Sequence, residues 1–227
     1  MQEQVTTTAE TLIQKAKTTF CTALLSEINH RIPGQVAFVP MDGFHFTRAQ
    51  LDKFPDPVDA HHRRGAVDTF DGGAWYQLVR RLRELKSDET ISVPGFNHAV
   101  KDPEEGKISI QGDKKIVLLE GNYLLLRKEP WADAASLFDE RILVDTPREE
   151  TIERLAKRNY AAGICPTYEE TLARVLAVDL KNGDLIMSES LEPTIYIKTT
   201  NDTRYAYATE ATQANDPVAR QVPENDA

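Results

Sequence analysis

Four short stretches of the chain are apolar without alternation: residues 35–39, 115–119, 141–144 and 194–198. Runs of that kind, rich in Val, Ile and Leu, predict strands covered on both faces, because a half-exposed strand would alternate apolar with polar positions. The segments between them repeat apolar residues at helical spacing. In residues 72–86, Trp75, Leu78, Val79, Leu82 and Leu85 line one helix face. Residues 5–20 read as an amphipathic helix that passes straight into a second helical stretch, 21–31. Pro147 opens a helix that covers 151–160. Residues 168–180 form another, which should stop near Asn182-Gly183. Strands alternating with helices predict right-handed crossovers and a parallel sheet covered by helices on both faces. In such a sheet the ligand lies beyond the carboxyl ends of the strands, where Asp42, Glu120 and Asp145 fall.

Composition narrows the picture. The 227 residues suffice for one domain with a full core, expected over 1–205, and residues 206–227 read as a polar, disordered tail. A net charge of -9 argues against nucleic-acid and membrane-surface partners, which need a basic footprint, but leaves room for a small anionic ligand held by a local Arg cluster. Cys21 and Cys165 make no disulfide framework, and the N-terminal residues lack a leader pattern, so a reducing, cytoplasmic location is expected.

Two strand-end carboxylates carry the first chemical signal. Asp42 sits in Met41-Asp42-Gly43-Phe44-His45, where it could take a proton from a hydroxyl, help hold magnesium, or simply cap a turn. Glu120 in Leu119-Glu120-Gly121-Asn122-Tyr123 repeats the arrangement, and two such carboxylates at one sheet edge call for cations. The polar stretch 61–71 mixes His61, His62, Arg63 and Arg64 with Gly65, Asp68 and Asp71, as either a binding loop or a solvated one. Adjacent His61 and His62 lack the spacing of a helical zinc pair. In 151–160, Arg154 and Arg158 share a helix face with Lys157 beside them, a clamp for phosphate oxygens or an ordinary solvated face. Ala161-Ala162-Gly163 after it could hinge a lid.

Together these motifs resemble the P-loop small-molecule kinases that include uridine kinase, phosphoribulokinase and bacterial-type pantothenate kinase, and especially the nucleoside-kinase-like and fructose-kinase-like members. The resemblance spans residues 11–200. It also rests on Arg64-Gly65-Ala66 with Thr69-Phe70-Asp71, on Val93-Pro94-Gly95-Phe96-Asn97-His98 with Asp102, and on Asp179 and Asn182. It implies an α/β P-loop NTPase fold and, with ATP and Mg2+, phosphorylation of a hydroxyl on a nucleoside, sugar or vitamin. By matching position, Asp42, Arg154 and Arg158 would be catalytic. His45, Arg64 and His98 would face the acceptor, Asn182 the nucleotide, and Glu120 with Asp42 the metal.

One part of the pattern is missing. No G-x-x-x-x-G-K-[ST] occurs, and Gly106-Lys107 is followed by Ile108. In the family a strand and this loop precede the helix that resembles 21–30, whereas here Phe20 runs directly into Cys21. The sheet is therefore expected to lack its central strand, between those ending at Glu120 and Asp145, leaving two unpaired edges or a gap. Without the backbone cradle, lysine and hydroxyl of the loop, this chain is expected to be inactive. The alternatives are a non-catalytic binding or regulatory pseudokinase, or an incomplete form of a normal kinase gene. Neither the acceptor nor the oligomeric state is legible.

Overall fold

The computed structural model describes residues 3–9 and 14–199, with side chains from Phe20 onward; the expected tail at 206–227 lies outside the described residues. The strands are β1 (Glu3–Ala9), β2 (Val36–Pro40), β3 (Thr90–Asn97), β4 (Asp102–Gln111), β5 (Ile116–Gly121), β6 (Glu140–Asp145) and β7 (Ile195–Lys198). Five of them form a sheet in the order β2-β5-β1-β6-β7, and all four of its neighbouring pairs are parallel. The four apolar runs are β2, β5, β6 and β7, with ends within two residues of those read from the sequence.

The fifth strand corrects two expectations. Residues 5–20 are not one helix, and the central position is not empty: β1 fills it, pairing Thr7 with Glu120 of β5 and Ala9 with Val144 of β6. Val5-Thr6-Thr7-Thr8 is a β-branched run, stiff at χ1 and suited to a strand. The inner edges of β5 and β6 supply the stronger reason, since their backbone N–H and C=O groups need partners. Helix α1 (Gln14–Arg31) then runs without interruption across the junction at Phe20 and Cys21.

Side-chain alternation along β2 and β5 divides the core between the faces of the sheet. Ala37, Val39, Val117 and Leu119 join Trp75, Val79 and Leu82 of α4 (Gly72–Glu84), together with Trp131 of α5 (Trp131–Ala135). Val36, Phe38 and Leu118 instead meet Cys21 and Leu25 of α1. Phe20 packs against this second cluster and against Ile142 and Val144 of β6.

An antiparallel hairpin, β3 with β4, forms a two-stranded sheet of its own that the periodicity did not anticipate. Its register breaks between Val93 and Gly95, at Pro94, which has no N–H to give to a ladder. The segment in which a lid was expected folds as α6 (Arg148–Ala161), α7 (Tyr168–Arg174), a π turn over Val175–Asp179, and α8 (Leu180–Glu189). Helix α8 continues past Asn182-Gly183, contrary to the expected stop. Burial of Leu180 and Ile186 outweighs the roughly 1 kcal/mol that a helical glycine costs. No helix among the described residues is long and apolar enough to cross a membrane.

Candidate active site

The carboxyl edge of the sheet builds the floor of the site. Pro40 and Glu120 are register partners on β2 and β5. The chain then turns tightly through a 3-10 turn, Met41–Phe44, that carries Asp42. Two glycines make this corner possible. A Cβ at Gly43 would lie 2.2 Å from the carbonyl oxygen of Pro94, and one at Gly121 would lie 2.5 Å from Cβ of Met41. The first contact seats the hairpin on the turn. The second sets Glu120, which is 7 % exposed, beside the turn that bears Asp42.

His45 leaves this turn with its ring Nδ1 2.8 Å from the carbonyl oxygen of Asp42. The ring lies against Phe70 at 3.9 Å between centroids and near Phe96 at 5.2 Å. Burial pushes its pKa below the ordinary 6.5, outweighing the charge and carbonyl of Asp42, which act the other way; Arg64 lowers it further. The imidazole is therefore neutral at pH 7. Because a carbonyl can only accept, Nδ1 carries the proton and Nε2 is left as an acceptor.

The three residues expected at the acceptor converge on Phe96. Arg64 lies over its ring at 5.8 Å, and His98, exposed near the hairpin tip, meets it edge-on at 5.2 Å. Arg64 is also structural. Its Nη2 donates to Oδ1 of Asp102 at 2.7 Å and to the carbonyl of Phe46 at 2.9 Å, and its Nη1 donates to the carbonyl of Lys101. These bonds tie the loop to the hairpin. Tyr123 pins the same loop from below, donating its hydroxyl to the Gly65 carbonyl at 2.7 Å.

Across the site stands the lid. Arg158 donates Nε and Nη2 to Oδ1 of Asn159, at 3.1 and 2.8 Å. Burial holds its guanidinium pKa below the ordinary value, while the nearby carboxylates of Asp179 and Asp42 favour the charged form. Arg154 instead pairs with Glu150 one turn back, at 3.0 Å. Asn182 is buried, and its amide nitrogen has no protein partner among the described residues. Gly163 follows α6 with φ of +64°, a sharp exit from the helix where a hinge was expected.

No cluster of three or more His, Cys, Asp or Glu placed to hold a metal occurs among the described residues. Magnesium does not require one. It is commonly bound through one or two carboxylates together with substrate phosphates, so the hard oxygens of Glu120 and Asp42 fit it. The unpartnered amide of Asn182 fits a nucleotide-side donor.

Sequence reasoning missed Asn159, and it named Phe70, Phe96, Asp102 and Asp179 within its motifs without giving them a role of their own. It also missed a trace of the phosphate loop. With β1 ending at Ala9 and α1 beginning at Gln14, residues 11–18 read Thr-Leu-Ile-Gln-Lys-Ala-Lys-Thr. This is the spacing of G-x-x-x-x-G-K-[ST], with Thr11 and Ala16 in place of the glycines and Lys17-Thr18 retained. The β-branched run before it was the available signal.

A parallel sheet of this order, with carboxylates at its carboxyl edge and the arginine-bearing α6 beside it, matches the P-loop kinase fold of solved structures. The chain is 44 % identical over 153 residues to the ATP-dependent kinase-like protein notR' of Aspergillus versicolor, covering 66 % of this chain and 89 % of that protein. It is 34 % identical over 183 residues to a protein of Schizosaccharomyces pombe named "putative uridine kinase", covering 80 % and 77 %. Among solved structures, the "putative fructose transport system kinase" of Silicibacter superposes with a TM-score of 0.71 at 25 % identity, covering 86 % of this chain and 89 % of that one. No protein-family model matches. The chain belongs to the P-loop kinase family of these ATP-dependent kinase-like and uridine-kinase-like proteins.

Proposed function

We propose that this site is built to transfer a phosphoryl group from Mg-ATP to a hydroxyl of a small metabolite, and that this chain does so weakly because its phosphate loop lacks both glycines. One observation carries the reading: Asp42 serves both walls of the site. Its carbonyl fixes His45 on the acceptor side, and its carboxylate acts on Arg158 of the lid.

In this reading Asp42 takes the proton of the acceptor hydroxyl. Nε2 of His45 accepts a hydrogen bond from a neighbouring acceptor group, with Phe96 and His98 lining the pocket and Arg64 holding its wall. Arg158, with Arg154 beside it, offsets the charge that develops on the moving phosphoryl group. Glu120 and Asp42 would hold magnesium, and Asn182 would bind the nucleotide. Mg-ATP, when bound, supplies the phosphoryl group and the cation that neutralises it. Residues 11–18 keep the Lys-Thr pair of the loop signature at Lys17-Thr18 but neither of its glycines, which would weaken the backbone cradle. A cytoplasmic setting belongs to the same reading. The missing glycines also favour a second reading, a pseudokinase that binds its acceptor without transfer.

Calorimetry with Mg-ATP should give a dissociation constant no tighter than about millimolar for the natural chain. The variant Thr11→Gly/Ala16→Gly restores the full signature and should bind at least about tenfold tighter. Assayed on a panel of nucleosides, sugars and vitamins, it should phosphorylate one class. Asp42→Asn in that background should lower kcat by roughly 10²-fold or more with little change in the KM for ATP. Tighter binding with no turnover on any acceptor would favour the pseudokinase. Unaltered turnover in Asp42→Asn would overturn the assignment of the base.

A further inference from the structure

The side chain of Arg158 does not extend into solvent. It folds back onto its own helix to meet the next residue, although adjacent positions on a helix do not ordinarily face each other. The residue it meets, Asn159, is 2 % exposed, and its Nδ2 donates in turn to Oδ2 of Asp179 at 3.3 Å. Asp179 closes the π turn between α7 and α8, a backbone irregularity that carries an extra residue per turn and recurs at functional sites.

We propose that Asn159 and Asp179 are positioning residues for Arg158, holding its guanidinium in one orientation against α6. The proposal rests on the reading of Arg158 given above. Its logic is that of hydrogen-bond inventory. A carboxylate only accepts, so Asp179 forces the amide of Asn159 to turn its nitrogen toward it. The amide oxygen must then face Arg158, which only donates. Asp179 thus fixes the orientation of an amide that could otherwise lie either way, and the amide fixes the arginine. A long, rotamer-rich side chain held in this manner loses less freedom when charge develops beside it. Burial raises the pKa of Asp179 above the ordinary 3.8, against Arg174, Arg158 and Asn159, which favour the charged carboxylate.

The near-isosteric Asp179→Asn is the decisive variant. Its carboxamide can donate as well as accept, so Asn159 is no longer forced to present oxygen to Arg158. In protein labelled with [15N]arginine, the Nε–H resonance lost in Arg158→Lys identifies Arg158. That proton should exchange with solvent at least about tenfold faster in Asp179→Asn and in Asn159→Ala than in the natural chain. Unchanged exchange in Asp179→Asn would overturn the proposal, whatever the fate of the more disruptive Asn159→Ala.

Kinetics separate this from the catalytic reading. With Mg-ATP and the acceptor returned by the panel, Asp179→Asn should lower kcat at least about threefold while the KM for ATP stays within about twofold. Added to Arg158→Ala, it should cost nothing further, because residues acting through one group are not additive. Full additivity would show that the pair does not work through Arg158. Faster exchange alongside an Arg158→Ala enzyme of undiminished kcat would instead sink the role of Arg158 and leave its positioning intact.

Discussion

The two walls of the site are held by different kinds of force. The acceptor wall consists of the 3-10 turn, the loop around Arg64 and the hairpin. It is fixed by backbone contact at Gly43, by aromatic rings around His45, and by a guanidinium that binds two carbonyls and a carboxylate. The wall that carries Arg158 has a small apolar core of its own, Leu155, Val175 and Leu180, but around the guanidinium its contacts are polar: Asn159 accepts from Arg158 and donates to Asp179, and Arg174 donates to the carbonyl of His62. Steric and aromatic contact is short-ranged and stiff, so the acceptor wall is pre-formed. Polar contact around Arg158 falls off more gradually and tolerates more displacement, which would suit the lid proposed for this segment.

Gly43→Ala tests the stiffness most severely. The added methyl would collide with the Pro94 carbonyl, and since backbone stands on both sides the hairpin must move. We expect a loss of about 3 kcal/mol or more in urea unfolding. A loss below about 1 kcal/mol would mean that the acceptor wall yields as easily as the lid.

Arg64→Lys should come next. The lysine keeps the charge but cannot reach Asp102, Phe46 and Lys101 together, and we expect a loss of about 1–2 kcal/mol. A double-mutant cycle with Asp102→Asn should return a coupling of roughly 1 kcal/mol. Strict additivity would remove this ion pair from the account of the wall.

Acid should move the two walls in opposite directions, by the smallest amounts. Burial holds the native pKa of His45 below 6.5, so as pH falls below 6.5 the unfolded state takes up the proton first and stability drops. The native pKa of Asp179 is raised above 3.8, so its protonation favours the native state, and that contribution grows as pH falls from the native value toward 3.8. In stability profiles between pH 4 and 7.5, His45→Gln should flatten the upper part of this acid dependence and Asp179→Asn should alter only the lower part. A His45→Gln profile parallel to that of the natural chain would show that this ring carries no stability difference with pH.

What could be read from the sequence follows the same division. Strands β2, β5, β6 and β7 were legible because burial on both faces writes an apolar run. Asp42 and Glu120 stood out because each ends such a run beside a glycine, and His45 because it follows Asp42 by three residues. β1 was not, since a run of threonines is polar in pattern and becomes a strand through the two edges that flank it. The hairpin was not read, although Ile91 and Val93 alternate with polar residues as Ile108 and Ile110 do: each alternating stretch is short, and Asp102-Pro103-Glu104-Glu105-Gly106 interrupts the pattern. Asn182-Gly183 read as a stop, but tertiary packing carried the helix through. Phe96, Asn159 and Asp179 acquire their meaning from neighbours distant in sequence or from an irregular turn, neither of which leaves a local periodic signal.

The hairpin has one further consequence. It shares no ladder with the main sheet, yet it meets the turn at Gly43, packs Val93, Ile108 and Ile110 into the core beside Met41 and Phe44, and sets Phe96 against His45, Arg64 and His98. If the proposed roles hold, the groups that would choose the acceptor lie on an element separate from those that would move the proton and the phosphoryl group. Descendants of such a chain can exchange the tip of the hairpin, and with it their diet of metabolites, while inheriting the sheet, the base and the lid unaltered.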